Sequence, residues 1–252
     1  LDISKIEAGR LEIDPHDFNL VQAIDAVSDV LGTVAQQKGL QLHTYIGPDV
    51  PPSVKGDRGR LMQILTNLVA NAIKFTVEGE VVVEVARGPT GPNGVHVLIT
   101  VRDSGIGITD EALMTSFDAF TQADVSTTRR FGGSGLGLAI SHELTELMGG
   151  SIKVESETGV GSTFTIDLPF IELPGDETAP AAQPGLRGLR VLIADQKRTG
   201  REILDAYLTG WEMATTTSAD GSSTLDLLHD AAVEGTPYDL LLLDAALDPV
   251  GG

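Results

Sequence analysis

The sequence predicts an α+β sandwich over residues 11–170 and, after a linker at 171–188, part of a parallel α/β unit over 189–252. Three observations carry that expectation. Leu20, Ile24, Val27, Leu31 and Val34 recur at helical spacing, which marks one buried helix face. The runs VVVEVAR (81–87) and VHVLITVRD (95–103) are rich in β-branched residues and bounded by glycine and proline, so they read as strands. Beyond the linker the rhythm changes to LRVLIAD, a helix around 198–209, EMATTT, a helix around 222–234, and DLLLLD, a βαβαβ pattern that implies parallel strands with right-handed crossovers.

In order along the chain, the first helix leaves Gln22, Asp29 and Gln36 to water. Asp17 and Asn19 can cap its free amides, and Gly39 ends it. A second helix is predicted from about 57 to 75, and the two strands that follow are joined by GPTGPNG as an antiparallel pair. After a glycine-rich stretch come a helix at about 135–148 and the strands SIKVES and TFTIDLP, which places helices on one face of a mainly antiparallel sheet. Residues 171–188 hold three prolines and three glycines with little apolar content, the composition of a solvated linker.

Composition narrows function. Seventeen Lys+Arg against 36 Asp+Glu give a net charge of −19, so a basic nucleic-acid binder is excluded. The absence of cysteine removes disulfides, thiolate metal sites and cysteine nucleophiles, and it fits a cytoplasmic setting. The longest apolar run, LLLL at 240–243, is far short of the ~20 residues a bilayer requires, so no membrane contact is expected. The chain opens on Leu1 rather than Met and is read as a piece of a longer protein.

Several motifs bear chemistry. In RLMQILTNLVANAIKFT, Gln63, Asn67, Asn71 and Lys74 stack on one helix face, opposite Leu61, Leu65, Leu68 and Ala72. Such a polar stripe is either a solvated face or a ligand site. The strand ending at Arg102 runs into DSGIGI, where Asp103 can accept from an amine and Gly105 and Gly107 permit a tight backbone turn; a simple Asp-Ser-Gly turn has the same sequence. In RRFGGSGLGLAIS, Gly132, Gly133, Gly135 and Gly137 form a loop opening into a helix, an anion-binding arrangement to which Arg129 and Arg130 add charge. Its spacing matches neither the dinucleotide fingerprint nor the P-loop. A further glycine pair, GVGSTF (159–164), lies between two strands, where it also suits a hairpin turn.

Taken in order, the Asn-rich helix, DSGIGI, GGSGLGLAI and GVGSTF resemble the N, G1, G2 and G3 boxes of the histidine kinase catalytic domain, over about residues 11–170. FDAFTQAD (117–124) resembles that family's F box, and LDISKIEAGRLEI resembles the end of its dimerisation and phosphoacceptor helix (1–10) entering the first strand. The resemblance implies a Bergerat-type ATP-binding fold. It implies Asn71 as the Mg²⁺ ligand, Asn67 and Lys74 on phosphate oxygens, and Arg129 and Arg130 beside the triphosphate. Asp103 would take the adenine amine, with Gly105, Gly107 and Ile108 around it and Thr163 closing the pocket. Phe131, Gly133, Ser134, Gly135, Leu136 and Gly137 would form the lid, Ser134 standing where the family usually has Thr. Related ATPases carry a glutamate four residues before the metal-binding Asn. Here that position is Asn67, a neutral amide unable to act as general base, so transfer to another nucleophile is favoured over hydrolysis.

The family's acceptor histidine is expected upstream of Leu1. His142 lies in SHELTEL, which resembles the acceptor box but lacks its Arg and Pro and falls in the helix after the G2 box, so it reads as a helix-surface histidine. The C-terminal unit resembles the flavodoxin-like receiver domain of response regulators, with Asp244 at the phosphoacceptor position and Asp195 as metal-binding acid. The pattern is incomplete: Gln196 replaces the second acid, and Asp248 stands where proline is usual. The expected whole is the Mg²⁺-ATP-binding core of a hybrid histidine kinase, passing phosphoryl to a histidine on an upstream helix. Its expected partners are those helices, within a homodimer, and a downstream receiver or phosphotransfer protein. A pseudo-receiver-gated regulatory scaffold and a related ATPase are the alternatives.

Overall fold

The computed structural model describes residues 11–92, 94–114, 136–174, 185–245 and 247. It divides into two compact units, 1–176 and 177–252. The predicted end of the upstream helix, the F box, Arg129, Arg130, Phe131, Gly133, Ser134 and Gly135 lie outside the described residues.

In the first unit, β1 (His16–Asn19) leads into α1 (Leu20–Gln37). Of the two residues predicted to cap this helix, Asn19 does so, its side chain accepting from the Gln22 amide at 2.8 Å. The buried stripe is Leu20, Ile24, Val27, Leu31 and Ala35, so the sequence reading missed its last member: Val34 is 46% exposed. At 3.6 residues per turn, Val34 and Ala35 flank the stripe on its two sides, and it is the side of the small Ala35 that the core covers. The backbone then turns at Gly39, where φ is +76°.

After β2 (Gln41–Ile46) and β3 (Ser53–Gly56), α2 spans Arg58–Phe75. Both ends are fastened. At its start one carboxylate oxygen of Asp57 accepts from the Arg60 amide at 3.0 Å, while the other accepts from the Asp14 amide at 3.0 Å. At its end the Lys38 ammonium donates to the carbonyls of Ile73 (2.6 Å) and Lys74 (2.8 Å), and Thr76 Oγ1 donates to Ala72 O (2.7 Å). Cations suit a helix C-terminus because unsatisfied carbonyls collect there.

The strands β4 (Glu80–Gly91), β5 (Gly94–Asp103), β6 (Ser151–Glu157) and β7 (Gly161–Glu172) complete a seven-stranded sheet ordered β1-β3-β7-β5-β4-β2, with β6 also paired to β7. Pairing is antiparallel except between β2 and β4. The GPTGPNG segment is less of a loop than its composition suggests: β4 pairs onward to Gly91 after an irregularity between Arg87 and Thr90. Likewise β7 runs through Glu172, taking in two residues of the predicted linker. A short helix, α3 (Asp110–Met114), follows β5, and α4 (Gly137–Leu147) precedes β6. Alternate residues Val95, Val97, Ile99 and Val101 of β5 and Phe164, Ile166, Leu168 and Phe170 of β7 are buried under the helices in one core.

The second unit has three parallel strands in the order β10-β8-β9, with β8 (Arg190–Ala194) central, β9 (Ala214–Ser218) and β10 (Leu240–Leu243) flanking it, and helices α5 (Arg198–Gly210) and α6 (Gly221–Val233) between them. The first strand of this unit thus lies between the second and the third. No described helix is long and apolar enough to cross a membrane.

Asp57→Ala removes both the helix cap and the acceptor for Asp14. It is expected to cost about 1–2 kcal/mol, read as a lower urea midpoint, whereas Asp57→Ser, which retains a capping oxygen, costs less.

Candidate functional site

Seven residues on one side of α2, Leu61, Ile64, Leu65, Leu68, Val69, Ala72 and Ile73, are buried in the core. That packing fixes the rotation of the helix, so Gln63, Asn67, Asn71 and Lys74 remain partly exposed on the other stripe. The start of α4 lies against this stripe. Asn67 donates from Nδ2 to Ser141 Oγ at 2.7 Å, and Ser141 is itself buried. Gly137 is closely approached: a β-carbon there would fall 2.3 Å from Asn67 Oδ1 and 2.9 Å from its Cγ. The absence of a side chain at 137 lets the N-terminus of α4, which has no side-chain cap from Leu136, reach the amide stripe.

Asp103 ends β5 on the same sheet face as the core, opposite Ser162 of β7. Its carboxylate accepts from the Gly105 amide at 2.8 Å and from the Ser162 amide. Burial pushes the Asp103 carboxyl above its ordinary range, and these two N–H groups oppose that shift. The glycines of the following loop are sterically required. At Gly105 a β-carbon would lie 2.6 Å from Phe75 O, and at Gly107, where φ is +68°, 2.1 Å from Glu157 O. The loop is thereby pressed between the end of α2 and the β6–β7 hairpin. Ile108 follows, packed against the core, with its amide donating to Ser156 Oγ at 2.8 Å. Beside it a cavity of about 380 Å³ is lined by Ile108, Thr109, Asp110, Glu111, Ser156, Glu157 and Thr158.

Thr163 does not share the sheet face of Asp103. Its cross-strand partners are Arg102 and Glu155, so its side chain lies on the opposite sheet face from Asp103. Both residues nevertheless border one hollow of about 390 Å³, which Val82, Ser156 and Ser162 also line. The hydroxyl beside Asp103 belongs to Ser162, which is 6% exposed. The sequence holds the signal for this: counting back in twos from Phe164, Ile166 and Leu168 reaches Ser162, not Thr163. Leu136 stands just ahead of α4, and His142 lies on that helix, partly exposed and 3.8 Å from Glu146. Among its apolar neighbours on the same helix and just after it, Leu144 is fully buried and Met148 packs against the core, whereas Leu147 is 45% exposed.

In the second unit, parallel pairing brings Asp195 and Asp244 to adjacent strand ends, with the Asp244 amide donating to Ala194 O at 2.8 Å. Asp195 Oδ1 accepts from the Lys197 amide at 2.7 Å. Arg201 Nη1 donates to the carbonyl oxygens of Asp195 (2.5 Å) and Gln196 (3.0 Å).

This geometry, an amide-bearing helix facing a glycine-led helix N-terminus and a buried aspartate at a strand end, coincides with a family match. The family model described as histidine kinase-, DNA gyrase B-, and HSP90-like ATPase fits residues 56–172. The chain is 46% identical over 188 residues to hybrid signal transduction histidine kinase L of Dictyostelium discoideum, covering 73% of this chain and 11% of that protein. To sensor histidine kinase GacS of Pseudomonas protegens it is 42% identical over 209 residues, covering 82% and 23%. To autoinducer 2 sensor kinase/phosphatase LuxQ of Vibrio vulnificus it is 34% identical along the whole chain and 30% of the relative. Among solved structures, full-length ShkA in complex with AMPPNP superimposes with a TM-score of 0.76 and 29% identity, over 97% of this chain and 48% of that one. The chain thus carries the catalytic domain of a hybrid sensor histidine kinase, and it spans between 11% and 30% of the length of these three curated relatives.

Gly107→Ala is expected to cost about 2 kcal/mol or more in urea unfolding of the first unit, because left-handed strain of ~1–2 kcal/mol adds to a backbone clash. Gly159→Ala, at φ +83° with nothing within 4 Å, should cost only the ~1 kcal/mol of strain.

Proposed function

We propose that this chain binds Mg²⁺-ATP in the cleft between α2 and the loop-and-helix elements around Asp103 and Gly137, and transfers its γ-phosphoryl to a histidine on a dimerisation helix upstream. The observation that carries the reading is the meeting of Asn67, on the amide stripe of α2, with Ser141 and Gly137 at the start of α4, on the sheet face where Asp103 is buried. The AMPPNP named with ShkA is consistent with an adenine nucleotide in this fold. Asp103 is the acceptor for the base amine, Ile108 packs beside the base, and Asn67 and Lys74 meet phosphate oxygens. In this assignment Ser162 takes the place expected of Thr163, because it shares the face of Asp103.

The donor set suits magnesium: Asn71 offers a partly exposed neutral oxygen, and Mg²⁺ characteristically takes one or two protein oxygens with the remainder from phosphates and water. Bound there through Asn71, it would neutralise phosphate charge. The chain's own part is positioning. Asn67 holds its substrate oxygens by hydrogen bonding and, lacking a basic carboxylate, does not activate water. Arg129, Arg130 and the lid residues Phe131, Gly133, Ser134 and Gly135 supply further phosphate contacts in this reading. The protein works as a cytoplasmic homodimer with a downstream receiver or phosphotransfer protein as partner.

For the second unit we propose the opening part of a receiver-like domain with a regulatory role. The strand order and the nearness of Asp195 and Asp244 support the fold. The residues fit a Mg²⁺ site poorly: Gln196 brings no charge, one Asp195 oxygen is engaged by an amide, and the Arg201 cation donates into the same loop. No phosphoryl step at Asp244 is therefore assigned.

Asn71→Ala is the direct test. Calorimetric titration of the intact chain should show Mg²⁺-ATP affinity falling about a hundredfold, as loss of a ligand worth ~2–3 kcal/mol implies. Unchanged affinity would overturn the site.

A further inference from the structure

Ser156, near the end of β6, sits at the meeting point of three groups. Its Oγ lies 2.8 Å from the Ile108 amide, 2.9 Å from Gly161 O and 3.0 Å from Ser162 Oγ. A serine hydroxyl has one hydrogen to give and two lone pairs with which to accept. The Ile108 N–H can only donate and Gly161 O can only accept, so the Ser156 hydrogen is committed to Gly161. The third contact must then take its hydrogen from Ser162, which donates to Ser156 Oγ. The reverse assignment would leave the oxygens of Ser156 and Gly161 facing each other at 2.9 Å with no proton between them.

The consequence is a fixed polarity. Ser162 pairs across the ladder with Asp103, and both residues are buried on the core side of the sheet. With its hydrogen turned toward Ser156, Ser162 presents only lone pairs, and the Asp103 carboxylate also only accepts. Resting on the ATP reading above, we propose that Ser156 is a specificity-determining positioning residue. It makes the base-recognising end of the site accept-only, so that the site selects adenine, which offers an amine at its six-position, over guanine, which offers a carbonyl there. A guanine oxygen would face two acceptors with no donor to meet it. Sites built to bond a substrate N–H discriminate strongly for this reason, since the mismatch leaves buried polar groups unpaired.

The test is the ratio of the GTP to the ATP dissociation constant, measured with Mg²⁺ on the intact chain. Wild-type protein should prefer ATP by about a hundredfold or more. Ser156→Ala releases the Ser162 hydrogen to turn toward the ligand, and the ratio should fall about tenfold or more. Ser156→Thr keeps the hydroxyl and should keep the ratio. Ser162→Ala removes the facing acceptor while Ser156 still holds Ile108, so it should also lower the ratio and serves if Ser156→Ala does not fold. An unchanged ratio in both alanine variants, or an equal weakening of both nucleotides, overturns the assignment and leaves Ser156 as a loop support. Wild-type protein that binds neither nucleotide overturns the ATP reading itself, and this proposal with it.

Discussion

Burial of one stripe of α2 on the sheet is the constraint from which the rest of the first unit follows. Seven of its apolar side chains are buried between the sheet, α1 and α4. At about 1.5–3 kcal/mol each, their burial contributes on the order of 10–20 kcal/mol before the entropy of ordering is subtracted. That exceeds what any single hydrogen bond to a ligand can supply, so the rotation of the helix is set by the core and not by a bound molecule. The amide stripe is thus presented in advance. Asp57 and Lys38 hold the two ends of the same helix from different parts of the chain, Asp57 by tying in the segment before β1 and Lys38 from the end of α1.

The sheet does for Asp103 what the core does for the amide stripe. The β5–β7 register sets Asp103 opposite Ser162, and the hairpin between β6 and β7 leans on the loop after Asp103 closely enough that only glycine fits at 107. Ser156 joins those two elements through one hydroxyl. A strand end, a loop and a hairpin therefore behave as one wall, and the polarity of that wall is decided by which way two serine hydrogens point.

How much of this was legible in the sequence depended on whether the signal was local. The start of α2 was readable because Asp57 is a strong cap placed directly before the apolar stripe, and the order of the glycine motifs was enough to place the fold. Val34 was misread because it and Ala35 lie equally far to either side of the stripe, and the letters alone do not reveal which flank the core covers; the small Ala35 faces the core instead. The face of Thr163 was hidden for a related reason: a motif is counted along the chain, whereas a strand assigns successive residues to opposite faces, which puts Ser162 and not Thr163 on the face of Asp103. The hydroxyl link from Ser156 could not be read at all, since it joins residues brought together only by pairing of β6 with β7. In the second unit the alternation of strands and helices was plain, but the Arg201 bonds to the loop carbonyls depend on where the first turn of α5 aims its side chains.

The central claim is that the neutral amide of Asn67, held by Ser141, makes this a site that keeps ATP intact for a histidine instead of passing its phosphoryl to water. The most direct measurement loads the chain with γ-labelled ATP and Mg²⁺ and follows the label without any acceptor histidine present. The account predicts that the label stays in bound, intact ATP over many minutes. Steady release of labelled phosphate would contradict it and identify the chain as a hydrolytic member of the same ATPase family.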